Sequence, residues 1–207
     1  DTLHFCPDPG SGRMTRESLG FSDETPVVGI VGSLLPRKRH AVLFRAARIL
    51  LEKFPDLRIL VIGPAPAPHH RTELEREAAI LGIGGSVVFV GPVVDAAPWY
   101  RAMDVLAMPS ENEGFGYAAA EAMACGTPVV VSDASSLPEV VGEDQEGGLI
   151  APLDDHEALA ARLRELLFSR GAREHFGAAA RARVVREFSI ERMTDDVEAF
   201  FESLTRG

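Results

Sequence analysis

Five short apolar runs, each closed by a glycine or another chain-turning residue, constrain this chain more than any other feature. They are Val27–Gly32, Leu57–Gly63, Val87–Gly91, Val105–Pro109 and Val129–Ser132, with a shorter sixth at Gly148–Ile150. Runs this uniformly apolar read as strands buried on both faces, which is the habit of parallel sheets. Segments with helical spacing of apolar residues lie between them, at His40–Phe54, His70–Leu81, Ala96–Met103, Tyr117–Ala124 and Leu137–Val141. Three more follow the last run, at His156–Phe168, Gly171–Glu187 and Ile190–Leu204. Parallel strands need crossover helices, and those helices must cover both sheet faces. The expected fold is therefore α/β: a Rossmann-like, doubly wound parallel sheet of six strands flanked by helices, with further carboxy-terminal helices. Residues 1–26 lack sustained periodicity and read as a leading linker segment with a short helix near Thr15–Leu19; residues 27–207 form the domain.

Composition narrows the function. The 207 residues are 46% hydrophobic and 25% charged, as in an ordinary globular protein, and no apolar run approaches the ~20 residues of a membrane span. The polar, Pro-containing opening does not read as a signal peptide. Two cysteines far apart, Cys6 and Cys125, suit neither a disulfide scaffold nor a structural zinc site, so a reducing, cytoplasmic location is expected. A net charge of −10 opposes non-specific nucleic-acid binding, which depends on neutralising phosphates. Lysine occurs only at Lys38 and Lys53, which makes the basic cluster Arg37-Lys38-Arg39-His40 conspicuous.

In open doubly wound sheets, ligands bind beyond the carboxyl ends of the strands. The stretch after the fourth strand is the richest such place. Gly114 and Gly116 clear side chains from a helix start, where free amides and the helix dipole favour an anion. Glu113 lies just before that helix and Glu121 inside it, roughly 7–8 Å apart along the axis at 1.5 Å per residue. Two carboxylates flanking a phosphate site suit the hydroxylated groups at the two ends of a sugar nucleotide. The same residues also read as a helix capped by Glu113 and Gly114 with Glu121 on a solvated face, and physics alone does not separate the two readings.

Other candidates carry less. His69-His70 lacks further ligands at metal spacing, and no Asp-x-Asp metal clamp occurs, so no metal site is expected. Cys125 has no adjacent base to activate it. Trp99-Tyr100 reads as helix-to-sheet packing, and Asp154-Asp155 as a helix cap.

The pattern E-G-F-G-x4-E-A-M-A-x-G-x-P-V-V, with Glu113 and Glu121 at its acidic positions, resembles the retaining GT-B glycosyltransferases of group 1 (family 4). The likeness extends through Phe89–Val93, Ala102–Val105, Pro109-Ser110, Pro138–Val141, Gly148–Asp155 and Arg186–Ser189. It implies that the chain is one half of a GT-B fold, the donor-binding half. Glu113 would hold donor-sugar hydroxyls and face the reaction. Amides of Gly114, Phe115, Gly116 and Tyr117 would meet the sugar and diphosphate. Glu121 would take the ribose hydroxyls, and backbone at Gly91, Pro92 and Val93 would read the base. Lys38 matches the lysine that neutralises the diphosphate leaving group. The donor would be a nucleoside-diphosphate sugar, with no cofactor or metal. The acceptor would be held by an amino-terminal domain of the same protein, through which any membrane association would be made.

Three departures stand out. Ser33 follows Gly32 where the family usually has Arg, and Arg39 follows Lys38 where it usually has Gly. Ser135-Ser136 stands where Gly-Gly is common. Arg37 or Arg39 could restore the missing charge, with Arg37 preferred because Arg39 begins the helix and can turn to solvent. Two other readings remain at this point: a nucleotide-binding or interaction module without transfer chemistry, which Ser33 supports, and a sugar-nucleotide epimerase, which shares the fold.

Overall fold

The computed structural model describes residues 1–142 and 144–205; of the domain expected over 27–207, Glu143, Arg206 and Gly207 lie outside the described residues. Helix α1 (Pro9–Ser18) precedes strand β1 (Val27–Val31). A 3-10 turn over Pro36–Lys38 leads into α2 (His40–Leu50), β2 (Arg58–Ile62) and α3 (Pro68–Ile80). Then come β3 (Val87–Gly91), α4 (Ala97–Ala102), β4 (Val105–Met108), α5 (Tyr117–Ala124) and β5 (Val129–Ser132). The chain closes with α6 (Leu137–Val141), β6 (Leu149–Ala151), α7 (His156–Phe168), α8 (Arg170–Phe188) and α9 (Ile190–Thr205).

The six strands form one parallel sheet in the order β3-β2-β1-β4-β5-β6. This is the Rossmann-like doubly wound architecture expected from the apolar runs. The order reverses between β1 and β4, where Val28 pairs with Val105 and Gly29 with Leu106. At such a reversal the crossovers diverge to opposite faces and leave a crevice at the carboxyl edge. Strand residues alternate between two cores. Val28, Ile30, Val105 and Val130 pack with Phe44, Leu43 and Leu163 on the α2–α7 face. Val27, Leu60, Leu106 and Val131 pack with Tyr100, Met123 and Val184 on the α4–α5–α8 face. Four of the five buried residues of α5 are alanines (119, 120, 122 and 124, beside Met123), and their small size lets this helix lie close to the sheet.

The leading segment is more ordered than its sequence suggests. A helix spans Pro9–Ser18 rather than Thr15–Leu19, with Asp8 accepting from the amides of Gly10 and Ser11 at its start. Gly12 sits so close to Arg101 that a Cβ there would lie 2.5 Å from the Arg101 carbonyl oxygen. Arg16, buried, donates to the Ala102 carbonyl at 2.8 Å and pairs with Asp104 at 2.8 Å, while Arg173 of α8 reaches the other Asp104 oxygen at 3.2 Å. The helix escapes an apolar-periodicity reading because it docks through a glycine and an arginine. Helix α2 also stops at Leu50, short of the expected Phe54, as the chain turns toward Pro55.

Helix α9 carries an exposed stripe of Ile190, Met193, Val197, Phe200, Phe201 and Leu204. Among the described residues no helix is long and apolar enough to cross a membrane. Cys6 and Cys125 are free thiols, and burial pushes that of Cys125 up to about 12.

Candidate functional site

A cavity of about 490 Å³ opens at the carboxyl edge of the sheet, over the reversal between β1 and β4. Its walls are Gly32, Ser33 and Lys38 after β1, Pro92 and Val93 after β3, Tyr100 of α4, and Glu113–Ala118 with Glu121 at the start of α5.

Lys38 reaches this cavity because of two local features. The 3-10 turn and a left-handed Arg39 (φ 55°) reverse the chain before α2. Gly32 then leaves room for the lysine stem, since a Cβ there would lie 3.1 Å from Lys38 Cε. The Lys38 ammonium donates to Glu113 Oε1 at 2.6 Å, with both side chains nearly nine-tenths buried. The turn is also fastened to the β4–α5 loop, where the Glu111 amide donates to the Arg37 carbonyl at 2.8 Å.

The loop carrying Glu113 has no regular structure, so its position depends on side-chain contacts. Ser135 Oγ donates to the Glu113 carbonyl at 2.7 Å and accepts from the Glu113 amide at 3.3 Å. Ser136 Oγ donates to the same carbonyl at 3.2 Å. Ser135 makes this contact from the left-handed region, at φ 58°. The serine pair where glycines are common thus holds the backbone of the buried carboxylate.

Helix α5 is entered through Gly116, the residue before it, whose φ of 98° strains any other residue and where a Cβ would lie 2.9 Å from Leu137 Cδ2. Among the described residues no side chain caps this terminus, so the Tyr117 and Ala118 amides remain available to a ligand, while that of Ala119 donates to the Gly116 carbonyl at 2.9 Å. Glu113 is paired with Lys38 rather than capping the helix. Glu121 is likewise not on a solvated face. It is half-buried, and its Oε2 accepts from the Tyr100 hydroxyl at 2.8 Å. Burial raises the Glu121 carboxyl above its ordinary value, and the Tyr100 hydrogen bond works against that rise.

Most of the residues expected at a ligand site converge here: Ser33, Lys38, Pro92, Val93, Glu113, Gly114, Phe115, Gly116, Tyr117 and Glu121. Gly91 and Arg37 do not line the cavity. Gly91 ends β3 one residue short of it. Arg37 is exposed on the outside of the 3-10 turn, whereas Arg39 is engaged by Glu111 at 3.1 Å and Asp154 at 3.0 Å. The preference for Arg37 as the replacement cation is therefore not met, and Arg39 does not turn to solvent. The charged lining is one lysine against two carboxylates.

Tyr100 is the participant that sequence reasoning passed over. Its sequence context reads as packing, and it does pack: it is fully buried, with the Phe5 ring edge-on at 6.2 Å. Nothing local signals that its hydroxyl meets a carboxylate on the next helix. Phe115 is held from the other side, its ring 5.1 Å from Tyr117 and 5.2 Å from Phe188. Among the described residues no group of three or more His, Cys, Asp or Glu is placed to hold a metal ion.

Residues 13–183 match the family model described as Glycosyl transferases group 1. The lipopolysaccharide core biosynthesis mannosyltransferase LpsB of Rhizobium meliloti is 32% identical over 209 residues, covering 100% of this chain and 59% of that protein. Among solved structures, Anabaena HepE in complex with UDP superposes with a TM-score of 0.90 at 24% identity, covering 98% of this chain and 55% of that one. The C-terminal domain of the group 1 family protein LpcC from Francisella tularensis superposes with a TM-score of 0.78 at 28% identity, covering 92% and 98%. The chain spans about half the length of the curated relatives it matches.

Proposed function

Since the chain belongs to the group 1 glycosyl transferases, we propose that it is the donor-binding half of a retaining, family 4 enzyme of the GT-B type. The enzyme transfers a sugar from a nucleoside-diphosphate sugar to an acceptor. The observation that carries this reading is the convergence, in one cavity, of an uncapped helix start at Gly116 with Lys38 and Glu113 on one side and Glu121 on the other.

Each group has a task in that reading. The first-turn amides of α5 and the Lys38 ammonium receive the diphosphate, where a fixed cation and oriented dipoles stabilise charge on the departing oxygen. Glu113, buried and paired with Lys38, faces the donor sugar. Glu121, deeper in the helix, accepts the ribose hydroxyls. Pro92 and Val93 bring backbone to the base. The phosphate charge is met by protein groups alone, without metal or cofactor. An amino-terminal half of the protein supplies the acceptor site and the opposite wall of the cleft, and the apolar stripe of α9 is a face on which it can pack. The protein works in the cytoplasm, and any attachment to a membrane is made through that half.

Titration calorimetry with UDP, GDP and ADP in EDTA tests the donor site. At least one nucleotide binds the 207-residue chain, and Glu121→Ala weakens it. In the two-domain enzyme, Glu113→Ala lowers turnover more than affinity, because Glu113 acts where charge and geometry change. Absence of heat with all three nucleotides at millimolar concentration, on folded protein, overturns the reading.

A further inference from the structure

We propose that Tyr100 is a positioning residue for Glu121, its hydroxyl holding one carboxylate oxygen so that the other is presented to the vicinal hydroxyls of a ribose. The proposal rests on the donor-site reading of Glu121 and adds the source of its orientation.

The geometry is specific. Tyr100 lies on α4 and Glu121 on α5, 21 residues apart, and the phenol donates to Glu121 Oε2 at 2.8 Å. Among the described residues Glu121 Oε1 has no protein partner, and the residue lines the cavity. A free glutamate side chain samples many rotamers, so fixing one oxygen removes freedom that a ligand would otherwise have to remove. The phenol is itself immobile. Tyr100 is fully buried, its ring meets Phe5, and its backbone carbonyl accepts from Thr127 Oγ1 at 2.8 Å. A phenol also suits the task chemically. Burial and the adjacent carboxylate push its ionisation well above the ordinary tyrosine value, so it remains a donor across the working pH range.

The hydrogen bond further bears on the charge of Glu121. Burial raises the carboxyl, and Tyr100 lowers it by favouring the ionised, accepting form. The other titratable side chains facing Glu121 are His4, which favours ionisation, and Asp95, which opposes it. The neighbouring Cys125 is a neutral thiol. Removing the phenol hydroxyl leaves burial less opposed, so the carboxyl titrates at higher pH.

Tyr100→Phe tests this with little change of shape. Calorimetry of the 207-residue chain with the pairs UDP/dUDP, GDP/dGDP and ADP/dADP measures how strongly the 2′-hydroxyl is read. The variant loses roughly five- to tenfold in affinity for the ribonucleotide, the size of a typical net hydrogen-bond contribution. Its preference for ribose over deoxyribose shrinks by at least about threefold. Its acid limit of binding moves to higher pH, as does the Glu121 carboxyl in a 13C titration. In a Glu121→Gln background, Tyr100→Phe leaves the ribose preference unchanged. Ribonucleotide binding that depends on Glu121, with ribose preference and carboxyl titration unaltered by Tyr100→Phe, overturns the proposal and leaves the donor site standing. Failure of the parent chain to bind any of the nucleotides overturns both.

Discussion

Lys38 and Glu113, 75 residues apart in the chain, meet through a 2.6 Å hydrogen bond with both side chains nearly nine-tenths buried. The pair neutralises a cation and an anion that would each be costly to bury alone. It also means that a diphosphate reaching Lys38 competes with Glu113 for the same ammonium.

That competition fixes the signs of two substitutions. Lys38→Ala weakens binding of the nucleoside diphosphate that the chain takes up at least about tenfold, because a charge-assisted contact is worth roughly 1.5–3 kcal/mol. Glu113→Gln binds that nucleotide at least as tightly as the parent, and severalfold tighter at low salt, because a neutral amide releases the ammonium. Calorimetry at two salt concentrations checks both, and weaker binding by Glu113→Gln contradicts the competition.

Ser33 leaves the cavity with one lysine against two carboxylates. Ser33→Arg adds a second cation beside Gly32 and tightens nucleotide binding. Arg37→Ala leaves nucleotide affinity within about twofold, since Arg37 is exposed outside the cavity and exposed charges are well screened. A large loss from Arg37→Ala would place that side chain in the bound complex.

Ser135 holds the Glu113 backbone from a left-handed conformation that favours glycine. Ser135→Gly removes hydrogen bonds and backbone strain of similar size, each on the order of 1 kcal/mol, so the urea midpoint changes little. The loop nevertheless loosens. Amide exchange at Glu113 accelerates by about tenfold or more, and further when Ser136→Ala is added, as NMR exchange measurements would register.

His40 begins α2 almost completely buried, with no partner for Nε2 among the described residues. Burial, aided by the nearby Lys38 charge, lowers its pKa from 6.5 to about 4. Between those values the unfolded chain binds the proton and the folded chain does not, so stability rises with pH. The contribution is complete above pH 6.5 and is lost as pH falls toward 4, amounting to about 3 kcal/mol. Urea unfolding from pH 4 to 7 should show that pH dependence in the parent and a flatter profile in His40→Leu. Parallel profiles would show that His40 does not titrate as its burial requires.

The sequence by itself determined the strands, the helices that cover them and the acidic pair Glu113 and Glu121, because burial on two faces and helical period are local patterns. It also marked Lys38, the lysine beside the first strand. Only the tertiary structure decided which of those groups meet. The Lys38–Glu113 contact depends on a left-handed Arg39 and a side-chain-free Gly32, and the Tyr100–Glu121 contact on how α4 and α5 pack. The Ser135 and Ser136 contacts with Glu113 join loops 22 and 23 residues apart, and α1 docks through Gly12 and Arg16 rather than an apolar stripe. Arg37 and Arg39, adjacent to the same lysine, part to different surroundings because a 3-10 turn followed by a left-handed residue aims successive side chains apart. Periodicity reports which face of an element is buried. Hydrogen-bond partners across elements follow from distances that exist only once the sheet and its helices have packed.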